Sequence, residues 1–175
     1  MRFIFSGIME LTYITSRNKK AVKQDFKIIE DFQHLKEYQK DAAKQWKYVN
    51  DKWLGLRNHI SPPPIAVTQS SGDCDDFASH MYQRAQKFNP LLLTYFPVNL
   101  AKAHTVVVLQ PDEGEWAGHY VLMNWSRFNV FTTRELLERH LANKYVQGKI
   151  ISYHWAKYDY EKGRFRNIKE KNVKK

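Results

Sequence analysis

The order of hydrophobic patterns along the chain predicts an α+β fold, with helices first and a largely antiparallel sheet behind them. Three observations carry this reading. Apolar residues step by threes and fours from about 19 to 58, as one buried helix face requires. Segments rich in β-branched and aromatic residues then follow at 91–98, 103–110, 117–124 and 148–156. A short turn around Gly114 joins the second of these to the third, which makes that pair antiparallel.

Taken in order, residues 1–18 hold a candidate short strand, Leu11–Thr15. In the helical stretch 19–58 the stripe runs through Phe26, Leu35, Tyr38, Ala42, Trp46 and Trp53, and Lys and Glu fill the other face. That span is long for one globular helix, so a break is expected near Asn50-Asp51. Ser61-Pro62-Pro63-Pro64 stops helix formation and sets an extended approach to the next segment. A second helix is expected over about 74–88, ending before Asn89-Pro90. Thr132-Thr133-Arg134-Glu135 reads as a capping box before a helix from Glu135 to Lys144.

The 175 residues are read as one domain, 1–175, with a helical segment 19–58, a core at about 55–157 and a basic tail at 158–175. A single cysteine excludes an internal disulfide framework. The apolar run that opens the chain is cut by Glu10 before it reaches signal-peptide length, and no window approaches a membrane span. The expectation is a soluble, cytoplasmic protein. The Lys and Arg behind the net charge of +10 are spread along the N-terminal helical stretch and concentrated after Lys157. Such a run reads as a solvated tail, or as a surface for nucleic acid or another acidic partner. No zinc-finger spacing, RNP-like strand pair or zipper accompanies it.

Chemistry concentrates in Gly72-Asp73-Cys74-Asp75-Asp76-Phe77-Ala78, where the only cysteine opens a helix. Unpaired backbone N–H groups and the positive end of the helix dipole favour a thiolate there. Asp73 is a fitting N-cap, and Asp76 completes a variant capping box. Gly72 supplies positive φ and room for close approach. The three carboxylates work against the thiolate by raising its pKa.

A cysteine nucleophile needs a base, and the base needs a group that fixes its tautomer. A hairpin centred on Gly114 sets His104 directly opposite Asn124, both on one face. An Asn carboxamide oxygen accepts an imidazole N–H, so Cys74, His104 and Asn124 form the candidate catalytic set. His119 is the competing base but has the opposite strand parity to Asn124. His59, His80, His140 and His154 read as structural. A metal site of Cys74, His104 and a neighbouring Asp lacks the paired spacings of zinc, so no metal is expected from spacing.

Three blocks together resemble the bacterial transglutaminase-like cysteine peptidases of the transglutaminase-like/papain-like superfamily. They are Gly72–Ala78, then Ala103-His104-Thr105-Val106-Val107-Val108, then Val121-Leu122-Met123-Asn124-Trp125. The resemblance spans about 55–130 and implies a papain-like core with the catalytic helix packed on an antiparallel sheet. It implies Cys74 as nucleophile, His104 as general base and Asn124 in the place where the family usually has Asp. Asn orients the ring but lends no charge to an imidazolium. Some relatives bind calcium through acidic residues beside the nucleophile, which points to Asp73, Asp75 and Asp76. Capping is the other role open to them.

The function expected is a cysteine peptidase or amidase acting on a protein or peptide substrate through a thioester. Transglutaminase or deamidase chemistry uses the same intermediate. The reading of another class is a catalytically weak fold that serves as a basic binding module. The amide of Cys74 is one expected oxyanion donor, and Gln69 or Trp53 is a candidate for the second.

Overall fold

The computed structural model describes residues 28–49, 60–98, 103–145 and 150–168. The expected strand Leu11–Thr15, the helical stretches 19–27 and 50–58 with Trp53 and His59, and the end of the tail at 169–175 lie outside the described residues.

Helix α1 spans Phe32–Gln45 and begins at Asp31, whose carboxylate accepts the His34 N–H at 2.8 Å. Leu35 and Gln39 are buried on its inner face. The helix ends at Gln45 because Trp46 is extended, ahead of the break expected at Asn50-Asp51. The Trp46 indole N–H donates to the Gly72 carbonyl at 3.1 Å. Strand β1 (Lys47–Tyr48) then pairs in parallel with β2 (Ser71–Gly72), which ties the end of α1 to the cysteine loop.

The proline run behaves differently from the expectation. Pro62 caps a one-turn helix α2, Pro63–Ala66, rather than holding the chain extended. Proline is well suited to the first turn, where its missing N–H has no partner to lose. Helix α3, Cys74–Arg84, is shorter than expected. A 3-10 turn over Gln86–Phe88 and a left-handed Asn89 finish the segment.

Strands β3 (Pro90–Pro97), β4 (His104–Leu109), β5 (Tyr120–Asn124), β6 (Arg127–Phe131), β7 (Ile150–Asp159) and β8 (Arg164–Asn167) form one sheet. Its order is β6-β5-β4-β3-β7-β8, and every neighbouring pair is antiparallel. Helix α4, Arg134–Tyr145, connects β6 to β7, with Thr133 as its cap accepting the Leu136 N–H at 3.2 Å. The α+β class is therefore as the sequence predicts.

Helices cover both faces of the sheet. On one, Leu92, Val107, Val121 and Met123 pack with Phe77, Met81 and Tyr82 of α3 and Leu35 of α1. On the other, Leu93, Val106, Val108 and Leu122 pack with Leu137 and Leu141 of α4. This two-sided burial explains the nearly unbroken apolar run of β4.

Two strands of this six-stranded sheet are not among those the sequence predicts. β6 follows β5 through a two-residue turn, Trp125-Ser126, with Asn124 paired to Arg127. β8 lies inside the segment read as a basic tail from 158. Arg164–Asn167 is an edge strand, with Phe165 buried against Tyr82 and Tyr158. The tail reading fails for this stretch because alternation with one buried aromatic is hidden among cationic residues.

Candidate active site

Cys74 is the first residue of α3, and the loop before it is shaped by its own carboxylates. Asp73 caps the helix, its Oδ1 accepting the Asp75 N–H at 3.2 Å. Asp76 also reaches across to the segment before α2. Its Oδ1 accepts the Ser61 N–H at 3.0 Å and so anchors the proline segment. Gly72 has φ 151°, and a Cβ there would collide with the Asp76 side chain. Close approach and positive φ both require glycine at this position.

His104 begins β4 and Asn124 ends β5. The register pairs Val107 with Met123, Val108 with Leu122 and Leu109 with Val121. A turn centred on Gly114 would have set Val107 opposite Val121, so the strands are offset by two positions from that expectation. The longer connection holds a compact turn, with Gly118 N–H on the Pro111 carbonyl at 3.0 Å and His119 N–H on the Trp116 carbonyl at 3.0 Å. An offset of two preserves facing, because strand side chains alternate with period two. His104 and Asn124 are diagonal neighbours rather than direct ones, and Nε2 of His104 still lies 3.0 Å from Oδ1 of Asn124. Since the Asn oxygen can only accept, Nε2 carries the proton and Nδ1 is left as the basic nitrogen.

Both residues have the parity of Val106, Val108 and Leu122, which pack beneath α4, whereas Cys74 opens a helix on the other face. The three meet at the end of the sheet. A narrow cavity of about 10 Å³ is lined by Cys74, His104, Thr105, Asn124 and Trp125. That is room for about one water molecule.

The electrostatics oppose an ion pair at rest. Burial, then the negative charge of Asp75, pushes the Cys74 thiol up to about 12, against backbone N–H contacts from Thr105 and from Cys74 itself. Burial also lowers the His104 pKa below its ordinary 6.5, outweighing the bond to Asn124. The pair is therefore neutral thiol and neutral imidazole. The helix terminus that favours a thiolate is outweighed here by burial and by the charge of Asp75.

Two aromatic residues beside the site have no role assigned from the sequence. Trp125 has φ 50° and stacks on Phe77 at 4.7 Å between ring centroids. Tyr48 is largely exposed, 5.8 Å from the Trp125 ring, and its phenol pKa is raised, first by partial desolvation and then by the negative charge of the neighbouring carboxylates. Both are aromatics beside a motif, a signal that spacing alone does not separate from core packing. Gln69 does not line the Cys74 cavity. His119 is in the connection before β5, bonded to the Ala117 carbonyl at 3.1 Å. His80 is structural, with Nε2 2.7 Å from Tyr38 Oη and Nδ1 3.0 Å from the Ala66 carbonyl.

One carboxylate oxygen from each of Asp73, Asp75 and Asp76 lies within 4.8 Å of the others. Hard oxygen donors at this spacing suit a calcium ion. Asp75 is fully buried, so the cluster concentrates negative charge where solvent screens it poorly.

No protein-family model matches this chain. No curated protein matches it either. Among solved structures it is similar to Legionella pneumophila LapG, at 14% identity over 89% of this chain and 74% of that one, with a TM-score of 0.46. The calcium-bound form of the same protein gives 16% identity over 74% and 77% of the two chains, with a TM-score of 0.45. Its EGTA-treated form gives 15% identity over 70% and 72%, with a TM-score of 0.40.

Proposed function

We propose that this protein is a cysteine-dependent acyl-transfer enzyme, a peptidase or amidase acting on a protein or peptide. One observation carries the reading: a histidine held at Nε2 by an asparagine oxygen at 3.0 Å shares a cavity with a cysteine at a helix start. The sequence blocks that resemble transglutaminase-like cysteine peptidases are the ones that supply these three residues.

In this reading the neutral thiol gives its proton to Nδ1 of His104 as Sγ bonds to the substrate carbonyl carbon. The carbonyl π electrons move to oxygen, where the Cys74 N–H donates. The tetrahedral adduct collapses, the C–N bond breaks, and Nδ1 returns the proton to the leaving amine. Water then attacks the thioester, losing a proton to Nδ1, and the carboxylic acid leaves Cys74 as the thiol. Asn124 keeps the ring in the Nε2–H tautomer throughout. A low His104 pKa suits the base role, because the imidazole stays unprotonated at neutral pH.

Asp73, Asp75 and Asp76 would hold a calcium ion, and its charge would offset theirs beside Cys74. Each of the three brings a carboxylate oxygen to the cluster, beside the capping bond of Asp73 and the anchoring bond of Asp76.

The test is intact-mass analysis after incubation with activated peptide esters and with peptide amide libraries. An acyl adduct on the single thiol, absent in Cys74→Ser and strongly slowed in His104→Ala, supports the reading. Added amine appearing in the product assigns transamidation instead of hydrolysis. The second reading is a binding module on the same fold, favoured by the thiol pKa of about 12. No adduct with any ester, together with salt-dependent binding to nucleic acid, selects it.

A further inference from the structure

We infer that Gln39 of α1 is a positioning residue for the His104–Asn124 pair, acting through the turn that follows Asn124. Gln39 is fully buried, yet no apolar pattern calls for an amide at that place on the helix. Its Nε2 donates to two carbonyls on the far side of the interface, Trp125 O and, at 2.9 Å, Arg127 O. A carboxamide nitrogen has two hydrogens, so its donor capacity is spent entirely on this one turn.

The turn needs such a hold. Asn124 and Arg127 are the last paired residues of the β5–β6 hairpin, so Trp125 and Ser126 form the tip. Trp125 sits at φ 50°, where hairpins of this length favour glycine or asparagine and a tryptophan is strained. Its side chain is stacked on Phe77, three residues beyond Cys74. Gln39 fixes the carbonyl of the same residue. Side-chain stack and carbonyl bond together pin Trp125 between the cysteine helix and α1. Asn124 precedes it directly, and its Oδ1 is the group that sets the His104 tautomer.

The consequence is specific. Without the two bonds from Gln39, the turn relaxes toward negative φ at Trp125, Asn124 shifts, and the imidazole is no longer confined to the Nε2–H form. The bonds span 86 and 88 residues, which links the site to a helix outside the stretch that resembles the peptidases.

The experiment is nitrogen-15 NMR of the His104 ring in the full chain at pH 7.5. It reads the imidazole itself, so its outcome is separate from whether Cys74 forms an acyl adduct. The wild type is expected to show the Nε2–H tautomer alone. Gln39→Met keeps size and removes both donors, and is expected to lose that dominance and give a mixture. Gln39→Asn, which keeps polarity but is one methylene short, covers the case in which the methionine variant fails to fold, and is expected to give the same mixture. Leu35→Ala is the control for general loosening of α1, since Leu35 is equally buried on that helix and is expected to leave the tautomer unchanged. A wild-type mixture, an unchanged tautomer in the Gln39 variants, or an equal change in Leu35→Ala overturns the inference.

Discussion

Nε2 of His104 and Oδ1 of Asn124 are 3.0 Å apart although their strands do not set the two residues opposite each other. The contact is diagonal, and it depends on the asparagine sitting at the last pair of its hairpin. Asn124→Ala is expected to slow acylation of Cys74 by about 10²–10⁴-fold, the usual worth of a positioned base. Asn124→Asp places a carboxylate there, raises the His104 pKa and moves the acid limb of the rate profile to higher pH. Stopped-flow acylation with an activated ester across pH 5 to 8 reads both. A rate unaffected by Asn124→Ala would remove the asparagine from the site.

Stability is expected to fall in mild acid, and the sign follows from the buried histidines. His80 and His104 both have folded pKa values below the ordinary 6.5, with burial as the main cause. Between the folded values and 6.5 the unfolded chain binds more protons. The stabilisation is therefore complete above 6.5 and is lost as pH drops toward the folded pKa values. Melting temperatures at pH 7.5, 6.5 and 5.5 should descend, and His80→Gln should flatten that slope. A rising or flat wild-type series contradicts the burial of these rings.

Much of this site was legible because its signals are local. Cys74 announces itself through Gly72, Asp73 and the helical spacing after Phe77, which need nothing but short-range chemistry. The facing of His104 and Asn124 was also readable, since parity survives any even offset. Register was not, because the length of the Gly114 connection depends on the bonds it makes within itself. Strand β6 was hidden by a turn without glycine, whose strained Trp125 is held by partners far away in sequence. Gln39 was invisible for the same reason: a polar residue on a helix reveals its use only when the carbonyls it meets are known.

Gly72→Ala is expected to destabilise the protein by about 1–3 kcal/mol, the usual cost of strain at a special backbone position. The new methyl group meets the Asp76 side chain, which must leave the Ser61 N–H to make room. Urea unfolding measures it through the midpoint. A midpoint equal to wild type would show that the loop accepts a side chain.

Tyr82→Phe tests the joint between α3 and the far strands. The Tyr82 hydroxyl accepts the Tyr158 N–H at 2.9 Å in a buried setting. Removing the oxygen leaves that amide without a partner, which costs about 1–3 kcal/mol. Amide exchange at Tyr158 should accelerate in the variant, and unchanged exchange would assign the amide another acceptor.

Calcium is expected to raise the melting temperature and EGTA to cancel the rise. At a hundredfold excess over its dissociation constant the gain is about 2.7 kcal/mol. Asp75→Asn should abolish the response. A melting temperature indifferent to calcium leaves the three carboxylates as capping and anchoring groups alone.

The place of β3 in the sheet sets a timetable for the chain as it is made. This strand is the inner neighbour of both β4, which follows it directly, and β7, where Leu92 meets Ala156 and Tyr95 meets Tyr153. All three residues of the candidate catalytic set are synthesised before β7 begins. Until it arrives, one edge of β3 presents unpaired N–H and carbonyl groups and a row of leucines. The nascent protein therefore passes through an interval in which its chemistry is synthesised but its central strand is half paired. That interval, more than any surface of the finished fold, is when this chain is most exposed to aggregation.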